Sequence, residues 1–376
     1  MSSPDSKAAP SPVVEAKAAG LTYVHDREAG YWRHRQGRGF RYVDSAGRTV
    51  RDRQLRQRFQ ELAIPPAWTK VWICESPRGH LQATGYDTRG RKQYRYHVEW
   101  SRLRNARKFE RLTEFARQLP GLRRRVSHRL KQGGTTREKV LAAALRVLDT
   151  GGIRVGNLEY AHSNGSYGLT TLKRKHVDVQ GNQVTFCFRG KAGLRQCVKL
   201  EDPQLSSIIR KCSELPGQRL FQYVDQNGDQ HPIDSADVNA LLREWTNSDF
   251  TAKDFRTWSG TVAFVSAVMN CGTDLSKSLH NHLQCVAKSL GNTAAICRKH
   301  YIHPQLIDDW IEGNLQRRIE QLSPTTTPRG LTAAERTTLQ LLSETAQSCL
   351  LRSAAEKNAK PVKRERRKSP GRSLSH

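Results

Sequence analysis

The stretch "HVDVQGNQVTFCFRGKAGLRQCVKL", His176 to Leu200, lies between segments that read as helices and does not itself read as one. Val184, Phe186 and Phe188 alternate with other residues, Gly181-Asn182 marks a tight turn, and Gly190 to Gly193 marks a second. A small antiparallel sheet is expected here. Just upstream, "TTREKVLAAALRVLDTGG" places Val140, Leu141, Ala144, Leu145 and Leu148 at helical spacing. A capping box from Thr135 to Glu138 should start that helix and the double glycine should stop it. Downstream of Pro203 the signals are again mainly helical, as in "TVAFVSAVMNCG" and "PQLIDDWIEGNL". The sheet is therefore an insertion in a mostly helical domain, expected over residues 106–322.

Working outward, residues 21–105 hold short alternating runs such as "GFRYVDSAGRTV" and "KVWICESPRGHLQATGYD", which predict a small β-rich domain. The charged segment "SRLRNARKFERLTEFARQLPGLRRRVSHRL" should link the two domains as a helix broken at Pro120. Residues 1–20 are rich in Ser, Pro and Ala and are expected to be a disordered lead-in. Residues 323–376 are expected to form a helix from Thr332 to about Asn358 and then a basic, disordered tail, "KPVKRERRKSPGRSLSH". The fold class is α+β, in two domains, and no internal repeat is found.

Charge narrows the partner. The 376 residues carry 63 Lys+Arg against 35 Asp+Glu, a formal net charge of +28 spread along the whole chain. Such a field attracts polyanions, so a nucleic acid leads as partner, ahead of a ribosome-like or merely soluble basic protein. The eight cysteines form no C-x-x-C pair and no compact Cys/His spacing, so they are expected to be ordinary buried thiols of a reducing compartment. The N-terminus has no apolar core long enough for a signal peptide, and no run approaches a membrane span. The expectation from these features is an intracellular, soluble protein, away from membranes.

Five positions can carry chemistry together, although each has a plainer reading alone. Arg154 in "GGIRVGN" follows the helix stop; Lys191 in "FRGKAG" sits at a glycine-flanked hairpin tip; Arg256 in "KDFRTWSG" is expected just before a helix start. Asn292 and Tyr301 lie in "SLGNTAAICRKHYIHP", Ser289 to Pro304. The plainer readings are a loop arginine, a solvated lysine, a helix-flanking salt bridge and a packed tyrosine. As a set they suit phosphoryl transfer to a tyrosine. Two guanidiniums can fork onto the non-bridging oxygens of a phosphodiester, and an amide adds a neutral donor. A phenol of pKa about 10 attacks more readily among cations, and a mobile lysine can protonate the departing 5′-oxygen. The chemistry calls for no metal and no cofactor, because the cations belong to the chain.

The order of Arg in "GIRVGN", then "YGLTTLKRKHV", Lys in "FRGKAG", Arg in "KDFRTW" and Tyr in "LGNTAAICRKHYIHP" resembles the type IB DNA topoisomerases, in their poxvirus and bacterial branch. The resemblance spans residues 21 to 322. It implies that Tyr301 is the nucleophile that forms a 3′-phosphotyrosine, with Arg154, Lys191, Arg256 and Asn292 catalytic. It also implies a monomeric two-domain clamp around double-stranded DNA, cytoplasmic and in the nucleoid if bacterial, that relaxes positive and negative supercoils by nicking, swivelling and religation, without ATP or metal. The position of Asn292 is usually His in poxvirus members; Asn donates a hydrogen bond but carries no charge. Within "GRKQYRYH", Gln93, Tyr94 and Tyr96 match positions that touch bases in the major groove; an exposed strand face is the plainer reading.

Two alternatives are weighed. A tyrosine site-specific recombinase shares this chemistry, but usually carries His where this chain has Lys253 and Asn292. A non-catalytic DNA-packaging protein would use the charge without requiring the complete set of site residues.

Overall fold

The computed structural model describes residues 11–270, 278–322 and 329–344. The chain divides into two compact units, Met1–Arg111 and Leu112–His376.

In the first unit, helix α1 (Pro12–Ala18) precedes strands β1 (Gly30–Gln36) and β2 (Gly39–Val43), helix α2 (Arg53–Glu61), and strands β3 (Thr69–Cys74), β4 (Leu81–Tyr86) and β5 (Lys92–Tyr96). The strands form one antiparallel sheet in the order β2-β1-β3-β4-β5. Phe59 of α2 packs with Ile64, Val71, Ile73 and Ala83 against one face. The lead-in departs from expectation over residues 11–20. Ser11 caps α1, Ala16 packs with Leu21 and Trp100, and the buried Glu15 carboxylate pairs with Arg104 and Arg107. Four partners inside the unit, Leu21, Trp100, Arg104 and Arg107, hold a helix that its own composition would not.

Helix α3 (Val98–Lys131) belongs to the first unit up to Arg111 and to the second from Leu112. It does not break at Pro120, which lies inside it. An interior proline removes one helix hydrogen bond and costs about 3 kcal/mol. Burial of Leu112, Phe115, Ala116, Leu119 and Leu122 along this part of the helix offsets that cost, at roughly 2 kcal/mol per large side chain.

The second unit continues with α4 (Arg137–Gly151), α5 (Leu158–Asn164), β6 (Val177–Gln180), β7 (Gln183–Arg189), β8 (Arg195–Glu201), α6 (Pro203–Glu214), β9 (Gln222–Val224), β10 (Gln230–Pro232) and α7 (Ser235–Thr246). Then come α8 (Ala252–Met269), α9 (Leu279–Leu290), α10 (Ala294–His300), α11 (Pro304–Ile311) and α12 (Leu315–Gln321). The expected insertion is the antiparallel sheet β6-β7-β8, with Val184, Phe186 and Phe188 buried. Helix α4 is the hub, packing on α6, α7 and α8. The five apolar residues read from its sequence are buried, and so are Ala142, Ala143 and Val147 on its other faces. Its cap is Thr136, whose hydroxyl accepts from Lys139 N, one residue later than expected. Glu138 therefore falls outside a capping box and pairs with Arg129 at 2.6 Å.

Residues 333–344 are helical and pack through Leu339, Leu341 and Leu342. The rest of the helix expected to Asn358, and the basic tail, lie outside the described residues. Nor are the cysteines uniform buried thiols: Cys187 and Cys197 face each other across β7 and β8 and are bonded, and Cys285 is exposed. Directly opposed positions in an antiparallel pair bring side chains within bridging distance, a register that cysteine spacing alone does not reveal.

Candidate active site

Four separate segments of the second unit converge on Tyr301. The first is the loop after α4. Gly152, at φ +58, ends that helix in the left-handed conformation, and the chain then runs through Arg154. This loop is pinned by the segment after α5: Leu169 N donates to Arg154 O and Thr170 N to Val155 O, both at 2.8 Å. The approach requires glycine, since a Cβ on Gly168 would lie 2.5 Å from Gly156 Cα and 2.6 Å from Arg154 O. The "YGLTT" motif thus fixes the backbone that carries Arg154.

Arg256 enters from α8, and here the structure corrects the sequence. The helix begins at Ala252, four residues before Arg256, because the Asp254 carboxylate accepts from Thr251 N at 2.8 Å and closes the first turn. Arg256 therefore lies within the helix and is 3% exposed. Its Nη2 donates to Leu290 O at 2.9 Å, at the end of α9, and its Nη1 donates to Gly152 O. These two carbonyls close the α4 and α9 helices, so one guanidinium joins both helix ends and sits where their dipoles favour a cation. Burial, and then the charge of Arg154, press its pKa downward from the usual arginine value.

Asn292 follows Gly291, which caps α9 at φ +56. Arg154 Nη2 donates to its Oδ1. An arginine can only donate, so the amide oxygen must face it and Nδ2 must point elsewhere. Both Nδ2 of Asn292 and Nε of Arg256 are buried donors with no protein partner. Unmatched buried donors are costly, about 1–3 kcal/mol each, and mark a place built for an acceptor.

Tyr301 follows α10, with its N–H on Cys297 O at 2.9 Å. Its backbone is held against α8. Thr261 Oγ1 lies 3.1 Å from Tyr301 O and accepts from His303 N at 3.2 Å. Gly260 permits the approach, since a Cβ there would sit 2.7 Å from Tyr301 O. The Arg256 Cζ is 5.0 Å from the centre of the phenol ring. Burial raises the phenol pKa, but the charge and hydrogen bond of Arg256 and the charges of Arg154 and Lys191 outweigh it, and the net shift is downward from 10.0. The sequence-adjacent bases behave differently: Arg298, Lys299 and His300 are exposed in the last turn of α10, and His303 caps α11.

Lys191 opens a 3-10 turn, Lys191–Gly193, at the β7–β8 tip and is exposed, yet its charge reaches Tyr301.

The chain matches the family described as "Eukaryotic DNA topoisomerase I, catalytic core" over residues 97–326 and "Bacterial DNA topoisomerase IB, N-terminal domain" over residues 39–87. It belongs to the type IB DNA topoisomerases. The DNA topoisomerase 1B of Acanthamoeba polyphaga mimivirus is 31% identical over 258 residues, covering 65% of this chain and 77% of the viral protein. The DNA topoisomerase 1B of vaccinia virus (strain Copenhagen) is 27% identical over 139 residues, covering 35% and 43%. The type IB topoisomerase is accordingly an enzyme of the viral and bacterial branch that acts on DNA, and the recombinase and packaging alternatives give way. Among the described residues no helix is long and apolar enough to cross a membrane.

Of the expected groove contacts in the first unit, Tyr94 and Tyr96 share one face of β5, 48% and 47% exposed and stacked with ring centres 6.0 Å apart. Gln93 alternates to the other face and donates to Asp87 Oδ2 at 2.9 Å. Sequence reading missed Thr261 and Gly260. The glycine left a signal, being a poor helix former inside the apolar run "TWSGTVAF".

Proposed function

We propose that this topoisomerase relaxes positive and negative supercoils by passing one DNA strand through a 3′-phosphotyrosine on Tyr301. The phenol oxygen attacks the phosphorus, the bond to the 5′-oxygen breaks, and the phenolic proton leaves to solvent. Arg256 and Arg154 hold the two non-bridging oxygens as charge builds on them, and Nδ2 of Asn292 adds a neutral hydrogen bond. Lys191 gives its ammonium proton to the departing 5′-oxygen. The free 5′ end swivels, and the reverse reaction reseals the strand. Bond energy stays in the phosphotyrosine and the stabilising cations belong to the chain, so the reaction consumes no ATP and calls for no Mg²⁺.

One observation carries this reading: a half-buried phenol is driven toward its anion by cations from three distant segments, with two unmatched buried donors on Arg256 and Asn292. Each donor to a developing oxyanion is worth about 10²–10³ in rate. In the same reading the two units close as a monomeric clamp on duplex DNA, and Tyr94 and Tyr96, with Gln93, meet the major groove. The net charge of +28 supports that partner. Work in the cytoplasm, on nucleoid DNA if bacterial, completes the proposal.

The test is a suicide duplex whose short downstream fragment, carrying the newly freed 5′-hydroxyl, diffuses away after cleavage. Mass spectrometry of the digested adduct should find the 3′-phosphoryl DNA on Tyr301. An adduct on another residue, or none, would refute the assignment.

A further inference from the structure

The inner face of β8 holds one side chain that its pattern does not explain. Gln196, Val198 and Leu200 point inward, opposite Phe188, Phe186 and Val184 of β7. An apolar residue would extend that core, and a local break in patterning is where function is sought.

The Gln196 carboxamide lies against two glycines. A Cβ on Gly190 would be 3.0 Å from Gln196 Cδ; one on Gly291 would be 3.0 Å from the same carbon and would overlap Nε2. Nε2 also approaches Gly291 O at 3.4 Å. Gly291 needs glycine for its backbone, at φ +56, but Gly190 has φ −89, which any residue adopts. The missing side chain at Gly190 is therefore explained by the amide pressed against it. Each glycine immediately precedes a site residue: Gly190 precedes Lys191, and Gly291 precedes Asn292.

We infer that Gln196 is a positioning residue for leaving-group protonation: wedged between Gly190 and Gly291, it seats the Lys191 hairpin tip on the turn that carries Asn292. The inference rests on the proposed role of Lys191 as the acid that protonates the 5′-oxygen. A hairpin tip that is otherwise exposed gains through this wedge a fixed distance to the phosphate site. Loss of the wedge leaves the nucleophile and the arginines in place but lets the ammonium wander. Since misplacement by about 1 Å costs on the order of 10²-fold in rate, the defect should be confined to the step that Lys191 serves.

The test compares single-turnover cleavage of two duplexes, one with the normal 5′-oxygen and one with sulfur in its place at the scissile bond. A thiolate leaves without a proton, its conjugate acid having a pKa of about 8.5, so protonation no longer limits the rate. Gln196→Ala should slow cleavage of the oxygen substrate about 10- to 100-fold and cleave the sulfur substrate within about threefold of wild type. Gly190→Ala, which displaces the amide from the other side, should show the same split, and Gln196→Met, which refills the wedge, should recover most of the oxygen rate. Lys191→Ala is the control. If sulfur rescues Lys191→Ala but neither Gln196→Ala nor Gly190→Ala, the wedge is overturned while the acid stands. If sulfur does not rescue Lys191→Ala, the reading of Lys191 fails, and the wedge with it. Equal slowing of both substrates, or an unchanged oxygen rate in Gln196→Ala, also overturns the inference.

Discussion

Replacing Gly260 with alanine puts one methyl group between α8 and Tyr301, the proposed nucleophile. The new carbon would lie 2.7 Å from Tyr301 O, 2.8 Å from Tyr301 Cβ and 3.0 Å from Leu290 Cδ1. Carbon and carbonyl oxygen rest at about 3.3 Å or more, so the Tyr301 backbone must retreat by roughly 0.6 Å. The helix itself gains about 1 kcal/mol from the substitution, and overpacking costs about 1–3 kcal/mol, so folding stability should fall by no more than about 2 kcal/mol. Catalysis should suffer more. A shift of that size carries the phenol away from Arg256, and misplacement near 1 Å costs on the order of 10²-fold. Single-turnover cleavage by saturating Gly260→Ala enzyme should be about 10- to 100-fold slow, while thermal melting shifts only a few degrees. Wild-type cleavage rate in this variant would refute the claim that close packing on α8 aims the tyrosine.

Ultraviolet difference titration of wild type against Tyr301→Phe should find a phenol ionising below the ordinary value of about 10, and Arg256→Gln should move it upward; a Tyr301 that titrates normally would remove the electrostatic argument. The linkage sign follows: a depressed folded pKa adds stability that is complete only above about 10 and is lost as pH falls through the folded value. The Glu335 carboxylate accepts from Arg123 at 2.7 and 3.0 Å, from Trp258 at 3.2 Å and from Thr332 N at 2.8 Å. Burial raises its pKa, but Arg123 first, then the Thr332 amide and Trp258, bring it below 4.5. Glu335→Gln should therefore cost about 3 kcal/mol in urea unfolding at neutral pH, and the gap to wild type should close as acid carries the wild-type carboxylate through its folded pKa. A pH-independent gap would contradict this. Deleting residues 360–376, with seven Lys/Arg, should flatten the dependence of log binding constant on log salt by up to about 6; an unchanged slope would remove the tail from DNA contact.

How much of this was legible depended on distance along the chain. The β6-β7-β8 insertion followed from local alternation and turn residues, and α4 from apolar spacing, because those signals are complete within a few residues. Pro120 misled because its cost is local while the burial that offsets it is tertiary. Likewise, the bases beside Tyr301 in sequence face solvent, and the cations that act on it come from the α4 exit, from α8 and from the hairpin. The order of motifs pointed to Arg154, Lys191, Arg256, Asn292 and Tyr301 as the set proposed here, but not to the contacts that position it. Gly260, Gln196 and the Gly156–Gly168 contact act through close approach, and their signals in sequence are a glycine inside a helix or a polar residue on an apolar face.

Relaxation of supercoiled plasmid, with chelator present and no ATP, tests the central claim most directly when wild type is set beside Tyr301→Phe. Wild type should give a ladder of topoisomers on both positively and negatively supercoiled DNA, and the variant should bind without relaxing it. Relaxation by Tyr301→Phe, or a wild type that needs Mg²⁺ or ATP to relax DNA, would contradict it.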